Sequence, residues 1–294
     1  MNEDDVLLQS ENGPLRRSEL GSVFKRLGLR AGDIVMIHSR LFTLGRFAPS
    51  MEREALTSAF IESLLGVVGS SGTLIFPTFT FAVFKTGRFS VLNTRSEMGI
   101  LSEDAMSRKD SVRTHHPLYS VATIGPHGGV CQSASRETCF GKGSLFDVLH
   151  EMNGSGATKD RVRFLTIGVD PPPAALTYTH YIEEQMGVPY RYHKQFSGRV
   201  VTEGRESAYE VQGFVRNLST CVVFDQDACW RCLEGKRGVK VERVGDSIAC
   251  LLLEEVFYGA VVEAIREKSD VLCRGGYPRG DVRSVGGDEP ATVL

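Results

Sequence analysis

The sequence lacks any run approaching the roughly 18 apolar residues of a membrane-spanning helix. Its opening residues, MNEDDVLLQSENG, are acidic rather than signal-like, so a cytoplasmic protein is expected. There is no basic excess either. Lys and Arg total 34 against 36 Asp and Glu, a formal net charge of -2, which argues against a nucleic-acid or polyphosphate binder. No GxxxxGK followed by Ser or Thr occurs, and no GxGxxG follows a strand, so P-loop and Rossmann phosphate chemistry are not expected. HExxH and GxSxG are missing too, which lowers the zinc-protease and α/β-hydrolase readings. The 7 cysteines have no disulfide framework, as expected of reduced thiols. Cys229 and Cys232 form the only CxxC. With no second pair at zinc-ribbon spacing, even counting Cys221 and Cys250, no metal is expected.

What is present reads as alternating helices and strands around one large core. Ser18 is the expected cap of a helix with Leu20, Val23, Phe24 and Leu27 inward, ended by Gly28. Asp33 to His38 reads as a buried strand, with the polar loop His38-Ser39-Arg40-Leu41 directly off its end. Ser50 is expected to cap a second helix, and Thr73 to Phe76 reads as the next strand. This α-β-α-β opening predicts a sheet with helices packed on it. Met98 to Met106 reads as helix and Val121 to Gly125 as strand. The turn before Ser144 opens a helix with Phe146 and Leu149 inward, whose exposed amides could take a phosphate or carboxylate. Ser247 to about Lys268 reads as one amphipathic helix. A single domain is expected over 14–273, with flexible tails at 1–13 and 274–294.

The chemistry concentrates between Arg163 and Lys194. A buried strand, Phe164 to Val169, meets Pro171, Pro172 and Pro173, which force a turn. Thr177 is then the expected N-cap of a helix carrying His180 at its third position and Glu183 three residues on. The positive end of the helix dipole should lower the imidazole pKa, and Glu183 can orient the ring, which together suit a general base. A lone His-x-x-Glu is more often a capped helix with a local hydrogen bond, so spacing alone does not identify a base.

Five blocks in order resemble the aminoglycoside 3-N-acetyltransferase family. They are His38-Ser39-Arg40-Leu41 with Leu44-Gly45, Gly72 to Thr80 with Pro77-Thr78, and Arg113 and His116-Pro117 with Ser120-Val121-Ala122. The last two are Phe140-Gly141 with Gly143-Ser144, and Thr177-x-x-His180-x-x-Glu183. The resemblance implies a mixed sheet flanked by helices (an αβα sandwich) and acyl-CoA-dependent N-acylation. Acetyl-CoA or another acyl-CoA is the expected co-substrate.

By resemblance, His180 and Glu183 are catalytic. His38, Ser39, Arg40, Leu41, Thr78, Ser120 and Val121 hold the CoA, with Ser120 a candidate oxyanion donor. Thr177, Tyr190, Arg191 and Lys194 face the acceptor. Arg40 stands where the family has a second Ser. The basic, aromatic run at 189–194 favours a phosphate-bearing acceptor, so a nucleotide-linked amino sugar is the leading expectation. The alternatives are an aminoglycoside antibiotic, or an inactive CoA-binding protein of the same fold. A third class would use a cysteine as acyl carrier. The expected partner is a small-molecule amino sugar, with no nucleic acid and no membrane; self-association is left open.

Overall fold

The computed structural model describes residues 5–49, 51–216 and 223–277. Chain order is β1 (Val6–Ser10), β2 (Gly13–Arg16), α1 (Arg17–Leu27), β3 (Ile34–Ser39), β4 (Arg46–Phe47), α2 (Arg53–Val68) and β5 (Thr73–Pro77). Then come α3 (Val83–Thr86), β6 (Arg88–Ser90), α4 (Ile100–Ser107), β7 (Val112–Arg113), β8 (Val121–Ile124), α5 (Gly128–Gln132), α6 (Leu145–Gly154) and β9 (Val162–Ile167). The remainder is α7 (Tyr178–Gln185), β10 (Arg191–Thr202), β11 (Arg205–Arg216), α8 (Gln226–Leu233), β12 (Val239–Val244), β13 (Ser247–Leu253) and α9 (Glu254–Glu267).

The main sheet has seven strands in the order β12-β13-β9-β3-β5-β8-β7. Its central strand β3 runs parallel to both neighbours, β9 and β5, and the outer pairings are antiparallel. Strand alternation sends Ile34 and Met36 to one core and Val35 and Ile37 to the other. One face packs α6, α7, α8 and α9; the other packs α1, α2 and α4. This is the expected αβα sandwich. Two small sheets flank it: β1 between β2 and β4, and the β10–β11 hairpin with β6 parallel to β10.

Several expectations change. Ser18 is not the cap of α1, because the helix begins at Arg17 and its box joins Arg16 with Glu19. Gly28 does end it, at φ +104, a conformation open to glycine. Ser50 lies outside the described residues, as does Cys221. Residues 6–13, read as part of a tail, form a paired hairpin with Leu7 and Leu8 fully buried. Residues 274–277 also fold back, with Arg274 N donating to Val223 O and Tyr277 N to Asp270 Oδ2; residues 278–294 lie outside the described residues. The largest correction concerns Ser247 to Lys268. Its first seven residues are β13, hydrogen-bonded between β12 and β9, and only Glu254–Glu267 is helical. A strand inside a sandwich is covered on both faces, so its continuous apolar run imitates a buried helix.

Candidate active site

β9 ends at Ile167, and buried Pro172 and Pro173 turn the chain into α7. Thr177 occupies the N-cap position as expected, but its side chain makes no capping bond. The His180 amide donates to the Thr177 carbonyl at 2.9 Å, which sets the imidazole in the first turn.

Glu183 is fully buried and organises everything around it. Its Oε2 lies 2.7 Å from His180 Nδ1 and 2.7 Å from Arg191 Nε. Its Oε1 accepts the Tyr190 hydroxyl at 2.8 Å. Arg191 Nη2 also sits 2.9 Å from His180 Nδ1. Burial pushes the Glu183 pKa up, but the Arg191 charge, the adjoining His180 and the hydrogen bonds from His180 and Tyr190 outweigh it, and the net shift is down. The His180 pKa is lowered, first by burial and next by Arg191, with Glu183 opposing. The direction matches the sequence reading, though the leading cause is burial. Nδ1 thus faces the Oε2 acceptor and the Nη2 donor at once, and we assign its proton to the shorter contact with the carboxylate. That leaves Nε2 with its lone pair and no partner among the described residues.

Aromatic rings connect this group to the strand-end loops. The His180 ring meets Phe140 and Phe224 edge-on, each at 5.9 Å. Phe140 lies 4.9 Å from Tyr119, Tyr119 4.9 Å from Phe79, and Phe79 6.3 Å from His38. One wall of rings therefore joins the first, second, third and fourth sequence blocks to the fifth. His38, at the end of β3, is 3% exposed, and neither ring nitrogen has a partner among the described residues. Burial drives its pKa down to about 3, so the ring is neutral. Thr166, its register neighbour on β9, is also buried with an unpartnered hydroxyl. Such orphaned polar atoms in an apolar layer fit a polar ligand group better than an empty core.

The other expected CoA residues divide. Arg40 is exposed and Ser39 half-buried at the mouth of the loop, while Leu41 is buried. The loop is pinned because Thr43 Oγ1 lies 2.7 Å from both the Arg40 and the Gly168 carbonyl oxygens and shares its one proton between them. Gly168 has φ +71, and a Cβ there would fall 2.3 Å from the Arg40 oxygen, so glycine is required. Thr78, Ser120 and Val121 are fully buried. The Ser120 hydroxyl donates to Thr78 O at 2.9 Å, and both hydroxyls accept from Arg113 Nε at 3.2 Å. The Thr78 and Ser120 hydroxyl oxygens are 2.9 Å apart, so their protons are used within the cluster. The Arg113 guanidinium reaches only carbonyls and hydroxyls and lies over Phe89. Burial lowers its pKa to about 10, so it stays charged. This cluster fixes the β5–β8 strand ends rather than offering free donors.

The helix start at Ser144 is likewise engaged. Ser144 accepts from Asp147 N, and Asp147 Oδ2 takes the Gly143 amide. The carboxylate expected from a ligand is supplied by the chain itself. Lys194 lies over the Phe196 ring at 5.7 Å, and Tyr192 is 45% exposed. Among the described residues no group of His, Cys, Asp and Glu could hold a metal. An open groove beside α9, lined by Lys236, Tyr258, Glu263 and Arg266 among others, shares none of the site residues.

Residues 36–253 match the family described as aminoglycoside 3-N-acetyltransferase. The chain belongs to that family. It is 27% identical over 219 residues to aminoglycoside N(3)-acetyltransferase VII of Streptomyces paromomycinus, covering 68% of this chain and 70% of that one. To aminoglycoside N(3)-acetyltransferase IX of Micromonospora chalcea it is 37% identical over 75 residues, spanning 26% of this chain and only a quarter of that protein's length. Among solved structures, aminoglycoside acetyltransferase AAC(3)-Xa superposes with TM-score 0.72 at 21% identity, covering 90% of this chain and 95% of that one. AAC-IIIb, solved as a binary complex with CoASH, gives 0.68 at 17% identity over 86% and 96%. At such identities the structures establish the fold alone.

Membership of the aminoglycoside 3-N-acetyltransferase family makes the chain an N-acetyltransferase by class. The buried cysteines bear on the thiol alternative. Cys131 and Cys250 are pushed up to about 12 by burial, Cys139 and Cys229 are raised as well, and none is a ready thiolate at neutral pH. Sequence reasoning missed Phe224, which carried no motif. It also did not see that Tyr190 and Arg191, seven and eight residues beyond Glu183, fold back onto it.

Proposed function

We propose that this aminoglycoside 3-N-acetyltransferase family member transfers an acetyl group from acetyl-CoA to an amino group of an aminoglycoside-type amino sugar. His180 is the general base. The observation that carries this is the His180 imidazole: neutral, held by Glu183 through Nδ1, and leaving Nε2 unpartnered at the end of an aromatic wall. In the step, Nε2 takes the proton from the attacking amine as its nitrogen bonds to the thioester carbonyl carbon. The C–S bond then breaks, and the thiolate leaves with the electron pair. On this reading His38, Ser39 and Arg40 receive the acyl-CoA, with the unpartnered His38 nitrogens on its polar groups.

A nucleotide-linked acceptor drew its support from Arg191 and Lys194 as phosphate ligands. Arg191 is engaged by Glu183, so the stronger half of that argument is gone, and the curated relatives are both aminoglycoside N(3)-acetyltransferases. The test is thiol release from acetyl-CoA with a deoxystreptamine aminoglycoside and, in parallel, with a nucleotide-linked amino sugar. Turnover of the aminoglycoside is expected. Turnover of the nucleotide-linked sugar alone would replace the acceptor, and release with neither would overturn the reading.

A further inference from the structure

We propose that Arg191 is a positioning residue that supplies the positive charge buried Glu183 requires, and thereby holds His180 neutral. A carboxylate with no solvent contact must be balanced by a cation or take up a proton. In a bare Glu-His pair the balancing cation is the imidazolium itself, which has no capacity left to accept a proton. Here a permanent cation stands in its place. Arg191 Nε makes a charge contact with Oε2 at 2.7 Å without hydrogen-bond alignment, the imidazole Nδ1 lies 2.7 Å from the same oxygen, and Nη2 lies 2.9 Å from Nδ1, so the guanidinium charge opposes a positive charge on the ring. Nη1 reaches the Phe214 carbonyl at 3.4 Å, and the Arg191 side chain is only 9% exposed, so its charge is poorly screened.

The other groups around the pair do not replace it. Tyr190, preceding β10, donates a neutral hydroxyl to Oε1. Arg216 of β11 adds to the positive field at His180, while Cys229 of α8 and Cys273 are raised toward neutral thiols. Phe140 and Phe224 contribute no charge. Arg191 is thus the cation in contact with Glu183, and it reaches it because β10 leaves Tyr190 and turns back along α7.

The inference rests on His180 being the base proposed above, yet its test needs neither acceptor nor acyl donor. Histidine ring resonances of the free protein would be titrated by NMR, with the His180 signal, one of 7 histidines, assigned by its disappearance in His180→Asn. In Arg191→Gln the His180 midpoint is expected to rise by at least about one pH unit, the scale on which a neighbouring charge moves a pKa. Arg191→Lys should show a smaller rise, because an ammonium keeps the charge but cannot bridge Glu183 and His180 as the planar guanidinium does. The acid limb of kcat/KM should move upward by the same amount, with activity reduced at least about 10-fold near pH 6 and largely recovered near pH 8.5. A His180 midpoint unchanged in Arg191→Gln overturns the proposal. So does a rise in acceptor KM at every pH with a stationary midpoint, which would make Arg191 an acceptor ligand. If Arg191→Gln does not fold, Arg191→Met, which also removes the charge, decides on the same criterion: a rise supports, no rise overturns.

Discussion

The two nitrogens of His180 carry different duties, and substitutions separate them. His180→Asn can still donate to Glu183 but offers no base, so kcat should fall at least about 100-fold, the usual scale of a lost general base. Binding of CoA, followed by calorimetry, should stay nearly unchanged; equal kcat at pH 7.5 would remove His180 from the mechanism. Tyr190→Phe leaves Oε1 of a buried carboxylate without its donor, which costs about 1–3 kcal/mol. A lowered Tm with kcat reduced by less than in His180→Asn is the expected pair of readings, from thermal melts and steady-state rates. At this scale the sequence was legible where a side chain acts on its own helix, as Glu183 does on His180. It was not legible where the partner arrives by folding back. Arg191 and Tyr190 look like an exposed basic, aromatic run until β10 lays them against α7, and Ser120 looks like a free hydroxyl until Arg113 and Thr78 close around it.

Elements matter because α7 must be held from behind as well as in front. Tyr178 and Tyr181 on its rear face donate to Glu254 of α9 and Asp147 of α6. Glu254, 2% exposed, also receives Asn153 Nδ2 at 2.8 Å and pairs with His150 at 2.7 Å. Glu254→Ala strips three groups of one shared acceptor. It should lower stability by about 3 kcal/mol in denaturant titrations, as breaking a buried pair does, and reduce kcat with little change in donor affinity. A stability change under about 1 kcal/mol would show that α7 is held by packing alone. Periodicity had marked the helices well, since their apolar residues lie on one stripe. It failed at Ser247 to Lys268, where no glycine or proline separates β13 from α9 and Leu251 and Leu252 satisfy either period.

For the molecule as a whole, acid is the informative stress. His38 and His116 are buried with pKa values of about 3 and about 4, and His180 is also lowered. Each takes up a proton in the unfolded chain near pH 6.5 and resists it in the folded one. Their stabilising effect is therefore complete above pH 6.5 and declines as pH falls, by about 1.4 kcal/mol per unit for each histidine. His150, raised by its hydrogen bond to Glu254, acts with the opposite sign. Melting curves at pH 7.5, 6.0 and 5.0, above the range where most carboxylates titrate, should show a clear fall in Tm. A flat profile would mean that the buried imidazoles reach solvent. The global sandwich was visible from alternating elements and ordered blocks. The charge state of its interior depends on distances between segments far apart in sequence, which no spacing records.

The β10–β11 hairpin reverses at Glu203 and Gly204, both exposed and both with positive φ. The paired base, Arg191 with Arg216, is eleven residues from the last pair, Thr202 with Arg205, or about 36 Å along the strand. Severing the chain at this bend would put His180, Glu183 and Arg191 on one piece and the inner strand β13 with its helix α9 on the other. Neither piece would own a complete sandwich, while the cut itself would disturb no residue near the imidazole. Co-expressed halves should regain acetyl transfer only when they dock, and attaching each half to a binding partner would make turnover a gauge of that partnership.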